Sequence, residues 1–148
     1  MLTDTNVLAY TLQPHHPFYA VVDAAIQLLQ QRGNDLQIVP QNLVELWVVM
    51  TRSASQNGLG MSVSAAAAEL RRLQSLFEFV PDTPTIHPVW EALVLQHQVS
   101  GKPAHDARLV AAMRVHGITS ILTFDKSGFA RYPDIEVVHP VDVAPVMP

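Results

Sequence analysis

Apolar positions recur at helical spacing along several stretches of the chain, and short apolar runs separate those stretches. Phe18, Val21, Val22, Ala25, Ile26, Leu28 and Leu29 mark the buried face of a helix over residues 17–32, which Gly33-Asn34 stops. Leu43, Leu46, Trp47, Val49 and Met50 predict a second helix over 42–54. A polar, Gly-containing loop from Ser53 to Gly60 leads to a helix over 62–76, with Ser62 placed to cap it. Two more helices are predicted over 84–98 and 104–116, with Gly101-Lys102-Pro103 between them and Gly117 closing the second. The runs 36–39, 77–80, 118–123 and 135–138 read as strands, the first two ended by Pro40 and Pro81, and residues 124–133 read as a loop. Met1 to Thr3 supplies a first strand before the chain turns polar at Asp4-Thr5-Asn6.

Short strands alternating with helices predict a three-layer α/β/α domain around a mostly parallel sheet. Right-handed crossovers then put helices on both faces. No internal repeat or linker divides the sequence, so residues 1–148 are expected to form a single domain.

Composition narrows the functional classes. Hydrophobic residues make up 49% of the chain and charged ones 15%, below the roughly 25% charge usual in soluble domains. That balance excludes intrinsic disorder. The absence of cysteine excludes disulfides, thiolate metal sites and cysteine nucleophiles. The start, Met1-Leu2-Thr3-Asp4, lacks a basic region, and no apolar run reaches the roughly 18 residues of a membrane span. A cytoplasmic protein without a membrane partner is the expectation. Nine Lys and Arg against thirteen Asp and Glu leave a net charge of −4, which argues against holding nucleic acid by bulk positive charge.

The predicted topology sorts the acids. In a parallel α/β sheet the carboxyl ends of the strands and the first turns of the following helices share one edge, where ligands bind. Asp4 follows the first strand, Glu45 falls in the first turn of the helix after the second, Asp106 in the first turn of the helix over 104–116, and Asp125 directly after the strand over 118–123. Asp35, Asp134 and Glu136 fall on the opposite edge, and Asp23, Glu69 and Glu91 lie within helices. Each edge acid also has a purely structural reading. Asp4 can cap a helix starting at Thr5, and Glu45 can form a capping box with Asn42. Asp106 can complement a helix dipole, and Asp125 can serve a turn. Taken together, however, four gathered carboxylates repel one another unless a cation sits between them. Oxygen ligands and phosphate chemistry suit Mg2+, whereas the seven His show no zinc spacing. Acids holding a divalent cation beside a phosphodiester point to metal-assisted hydrolysis.

These residues carry a family resemblance. Leu2-Thr3-Asp4-Thr5-Asn6-Val7-Leu8, Asn42-Leu43-Val44-Glu45, His105-Asp106-Ala107-Arg108-Leu109-Val110-Ala111-Ala112, Ile121-Leu122-Thr123-Phe124-Asp125 and the closing segment Ile135-Glu136-Val137-Val138-His139-Pro140 occur in the order of the PIN-domain ribonucleases. Within that family the chain resembles the VapC-type toxins of bacterial toxin–antitoxin pairs. The resemblance implies RNA cleavage dependent on Mg2+ or Mn2+, with Asp4, Glu45, Asp106 and Asp125 as the catalytic, metal-binding acids. It implies supporting hydrogen bonds from Asn6 and Thr123, a homodimer, and inhibition by a cognate antitoxin. One departure stands out: many relatives carry a second Asp three residues after the fourth acid, where this chain has Gly128.

Near the same edge, Arg108, Lys102, Lys126, His105 and Arg131 are candidates for substrate phosphates, with Arg52, Arg71 and Arg72 bordering it. His15, His16, Phe18 and Tyr19 either touch RNA or pack a helix start. Two other functions compete: an aspartate-dependent phosphatase using Asp4, and an inactive PIN-like interaction module. The first lacks the second acid that such phosphatases carry where Asn6 stands. Setting aside the four edge acids leaves nine basic and nine acidic residues, so the entire net negative charge resides in the proposed metal site.

Overall fold

A computed structural model describes residues 1–145. Within them the sheet is parallel throughout and has five short strands: β1 (Leu2–Thr3), β2 (Gln37–Ile38), β3 (Glu78–Phe79), β4 (Ser120–Leu122) and β5 (Glu136–Val138). Their order across the sheet is β3-β2-β1-β4-β5. The chain builds outward from β1 through β2 to β3, then returns to start again at β4 on β1's other side. The switch point of the topology therefore lies between the carboxyl ends of β1 and β4, the expected position of a ligand crevice.

Seven α-helices accompany the strands among the described residues: α1 (Thr5–Tyr10), α2 (Tyr19–Gln31), α3 (Pro40–Thr51), α4 (Val63–Leu76), α5 (Ile86–Gln96), α6 (Pro103–His116) and α7 (Pro140–Val143). Alternation along the strands divides the core in two. Leu2 and Ile121 pack with Leu93 of α5 and the buried Leu109, Val110 and Met113 of α6. Ile38 and Leu122 pack on the opposite side with Leu8, Val22, Leu46, Met50 and Leu73. Helices thus cover both faces, and the architecture is the three-layer α/β/α arrangement.

The differences from the sequence-based expectations lie at element ends. Pro40 does not end a strand; it occupies the first turn of α3, and Pro103 does the same in α6. Proline suits that position because its missing N–H would have had no helical partner. The earlier start moves Glu45 from the first turn of α3 to the second. Asn42 therefore does not box with Glu45. Its Oδ1 accepts from the Val39 N–H at 2.9 Å, tying the helix start to the end of β2. Helix α2 begins at Tyr19, not residue 17, because the chain between α1 and α2 turns around Pro14 and Pro17. Ser62 caps α4, accepting from the Ala65 N–H at 3.2 Å, and Gly117 ends α6 in the left-handed conformation at φ 67°. The six-residue α1 and the one-turn α7 contain too few residues to display helical periodicity, whereas each of the five strands falls within a run read as a strand.

Candidate active site

Asp4 is the buried centre of the carboxyl edge, 7% exposed. It ends β1 and caps α1, so its structural and functional readings are compatible: one oxygen accepts from the Thr5 N–H at 2.7 Å. The other accepts from Thr123 Oγ1 at 2.6 Å and from Asn6 Nδ2 at 3.1 Å. Asn6 Nδ2 also donates to Thr123 Oγ1 at 3.1 Å, and that hydroxyl accepts from the Asp125 N–H at 3.0 Å. One residue pair, Asn6 and Thr123, thereby connects the ends of β1 and β4 across the topological switch.

Glu45 reaches this edge from α3. Thr5 Oγ1 donates to its Oε2 at 2.9 Å, and Gln41 Nε2 donates to its Oε1 at 2.8 Å. The same Gln41 amide donates to the His105 carbonyl at 2.9 Å, linking α3 to the start of α6. Asp125 is held from its own loop: its Oδ1 accepts from Ser127 Oγ at 2.7 Å and from the Gly128 N–H at 2.9 Å. Sequence reasoning assigned no role to Gln41 or Ser127. The signal available for Gln41 was its position one turn before Glu45 on the same helix face.

Gly128 explains how the loop closes without a further acid. A Cβ at this position would lie 2.7 Å from Asp125 Oδ2 and 3.0 Å from Asp106 Oδ2. The two carboxylates therefore meet over the bare backbone of Gly128, and a side chain there would displace them.

The electrostatics agree with this convergence. Burial raises the Asp4 carboxyl above the usual range, against the opposing hydrogen bonds of Thr123 and Thr5, with Glu45 and Asp125 adding repulsion. Asp106 is pushed up to about 6, first by burial and then by the charges of Asp4, Asp125 and Glu45. Asp125 lies on the other side of the ordinary value, lowered by Ser127 and the Gly128 N–H. Four of the nine acids outside this edge pair with Lys or Arg: Arg72–Glu69, Arg108–Asp82, Arg114–Asp134 and Lys126–Asp142 are ion pairs. Among the described residues, Asp4, Glu45, Asp106 and Asp125 pair with no Lys or Arg.

A cleft of about 780 Å³ opens over these acids, lined by Glu45, Asp106 and Asp125 together with Arg52, Lys102, His105 and Arg131. Arg52 is anchored there by a hydrogen bond to the Asn57 carbonyl at 2.9 Å. Other candidate cations are engaged elsewhere. Arg108 binds Gln41 at 3.2 Å and Asp82 at 3.0 Å, Lys126 binds Asp142 at 2.8 Å, and Arg72 binds Glu69 at 2.7 Å. No three acidic or imidazole side chains among the described residues are already drawn tightly enough to ligate one ion. The donor set nonetheless fits a hard cation that retains several waters: every candidate ligand is a carboxylate oxygen, and their mutual repulsion is what a divalent charge relieves.

The PIN domain family model matches residues 1–135. The chain belongs to the PIN domain family. No curated protein matches the sequence significantly. Among solved structures, the PIN domain here resembles VapBC2 from Rickettsia felis bound to a promoter DNA fragment, with a TM-score of 0.67 and 17% identity, over 93% of this chain and 96% of that one. FitAcB from Neisseria gonorrhoeae superposes with a TM-score of 0.66 at 20% identity, covering 94% and 96% of the two chains. VapC20 from Mycobacterium tuberculosis, a toxin that cleaves the sarcin–ricin loop, gives 0.62 at 21% identity over 88% and 94%. At these identities the likeness is one of fold, and the PIN domain's chemistry rests on its own residues. No helix among the described residues is long and apolar enough to cross a membrane.

Proposed function

We propose that this PIN domain is a divalent-metal-dependent endoribonuclease and the toxin of a toxin–antitoxin pair. The observation that carries the reading is the set of four carboxylates without cationic partners at the switch point of a parallel sheet. Asp4, Glu45, Asp106 and Asp125 hold the cation, Mg2+ or Mn2+. Bound there, it supplies an activated water and stabilises charge on the phosphoryl oxygens. Asn6 and Thr123 keep Asp4 oriented, and Gln41 and Thr5 do the same for Glu45. Lys102, Arg52 and Arg131 take up flanking phosphates of the RNA at the cleft wall, beside His105. Lys126 and Arg108 contribute only by leaving their present ion pairs. Both oxygens of Asp4 already accept hydrogen bonds, which supports an anchored ligand over a covalent phosphatase nucleophile.

The partner side of the reading is a cognate antitoxin and a second copy of the chain, acting in the cytoplasm. Exposed Val44 and Val48 on α3, beside Trp47 and Leu70, offer apolar surface for such contacts. Inducible expression followed by mapping of RNA 5′ ends tests the function. New ends at discrete positions are expected with the natural chain and not with Asp4→Asn; no new ends, or the same ends with Asp4→Asn, would overturn it.

A further inference from the structure

Of the four edge acids, Glu45 has the longest side chain and so the most rotamer freedom to lose when it is fixed. Both of its oxygens are nevertheless held, each by a donor that is itself held. On the buried side Asn42 Nδ2 donates to Thr5 Oγ1 at 3.4 Å, and Thr5 donates on to Glu45 Oε2 at 2.9 Å. On the other side stands Gln41, whose Nε2 donates to Glu45 Oε1 at 2.8 Å and to the His105 carbonyl at 2.9 Å.

The Gln41 amide fits in one orientation only. Arg108 Nη1 donates to its Oε1 at 3.2 Å. A guanidinium only donates, whereas a carboxylate and a carbonyl only accept, so reversing the amide would break all three contacts. Arg108 is fixed in turn, because its Nη2 donates to Asp82 Oδ2 at 3.0 Å. Asp82 lies between β3 and α5, and the carbonyl of the preceding Pro81 accepts from His116 Nε2 at 2.9 Å, at the far end of α6. Asp82, Arg108, Gln41 and Glu45 thus stand in series and tie the segment after β3 to the starts of α3 and α6. The charge of Arg108 is matched by Asp82, outside the acid site.

We propose that Arg108 is a positioning residue: it fixes the Gln41 amide, and that amide holds the Glu45 carboxylate ready for the cation. This inference rests on the metal-dependent ribonuclease reading, but its test reads metal binding without RNA. The sign of the effect separates positioning from charge. By Coulomb's law alone, removing a cation beside a cation site strengthens metal binding. Removing a residue that orients a ligand weakens it.

The probe is Mn2+ titrated into the full chain, with the free ion read by its electron paramagnetic resonance signal. Gln41→Ala is expected to weaken Mn2+ binding roughly 10- to 100-fold, and Arg108→Met roughly 10-fold. Methionine keeps an apolar stem where Arg108 lines a cavity of about 320 Å³ with His87 and Trp90, but it has no donor. The double variant is expected to bind no more weakly than Gln41→Ala, because Arg108 acts only through Gln41. Arg108→Lys keeps the charge, but its compact ammonium lacks the fork that spans Gln41 and Asp82, and it is expected to weaken Mn2+ binding as well.

Mn2+ affinity in Arg108→Met equal to or above that of the natural chain overturns the proposal. So does a double variant whose loss is the product of the two single losses. Should Arg108→Met fail to fold in a thermal melt, Arg108→Lys decides by the same comparison with the natural chain. If Arg108→Met loses Mn2+ affinity while the natural chain cuts no RNA, the positioning role stands and the ribonuclease reading falls. If the natural chain cuts RNA in Mn2+ and Arg108→Met binds the ion undiminished, the reverse holds. A natural chain that binds no Mn2+ overturns both.

Discussion

Asp106→Asn is expected to lower the rate of RNA cleavage by about 10³-fold while leaving the fold intact, and Asp4→Asn to do the same. The magnitude follows from the several kcal/mol of transition-state charge stabilisation that a properly held cation supplies, at about 1.4 kcal/mol per tenfold in rate. Asp106 gives the cleaner measurement. Only burial and neighbouring charges act on it, with no hydrogen bond among the influences on its carboxyl. An amide there removes a ligand without breaking a protein contact. Asp4 is more entangled. Asparagine at that position can still accept from the Thr5 N–H, but its amide nitrogen would face Asn6 Nδ2, another donor. Thermal melts of both variants separate lost chemistry from lost structure. Either variant retaining more than a tenth of the natural rate would remove that residue from the site.

The second large effect concerns stability, and its sign is opposite to that of most single substitutions. Without divalent metal, the folded chain holds a proton on Asp106 up to about pH 6, whereas the carboxyl's ordinary value is 3.8. Protonation therefore favours the folded state, and the stability it contributes is lost as pH rises from about 4 through 6. The raised carboxyl of Asp4 acts in the same direction. The lowered Asp125, Asp134 and Asp142 act oppositely, losing their contribution as pH falls below the ordinary aspartate value. At pH 7.5 in chelator, Asp106→Asn is expected to stabilise the fold by roughly 1–2 kcal/mol, after allowing for solvent screening of a half-buried group. In a chain of this size that is about 2–8 °C in melting temperature. Divalent metal reverses the ranking. At about 100 times its dissociation constant it adds roughly 2.7 kcal/mol to the natural chain and much less to the variant. Melting curves of both proteins, with and without Mn2+, check this. A variant less stable than the natural chain in chelator would contradict the electrostatic account.

The acids were legible before the fold because topology assigns edges. A carboxylate just past a strand, or early in the next helix, lands on the carboxyl edge whichever strand it follows, so Asp4, Asp106 and Asp125 could be placed without the strand order. Glu45 reached the right edge through a wrong boundary: Pro40 opens α3 and does not close the preceding strand, which moves Glu45 from the first turn into the second. The strand order itself was not legible, since two- and three-residue strands carry too little pattern to specify neighbours. Side-chain engagement was equally hidden. Lys126 and Arg108 stand near the edge in sequence, yet their charges are taken by Asp142 and Asp82. Gly128 looked like a missing acid, but it is the space in which Asp106 and Asp125 approach.

The most direct test of the account is cleavage of RNA by the purified chain, first stripped of divalent ions with a chelator and then supplied with Mg2+ or Mn2+. Cleavage is expected to be absent in chelator and to return in full with either ion, with no return in Asp106→Asn. Cleavage that continues undiminished in chelator, or returns equally in Asp106→Asn, would show that the four carboxylates do not form the metal-dependent centre.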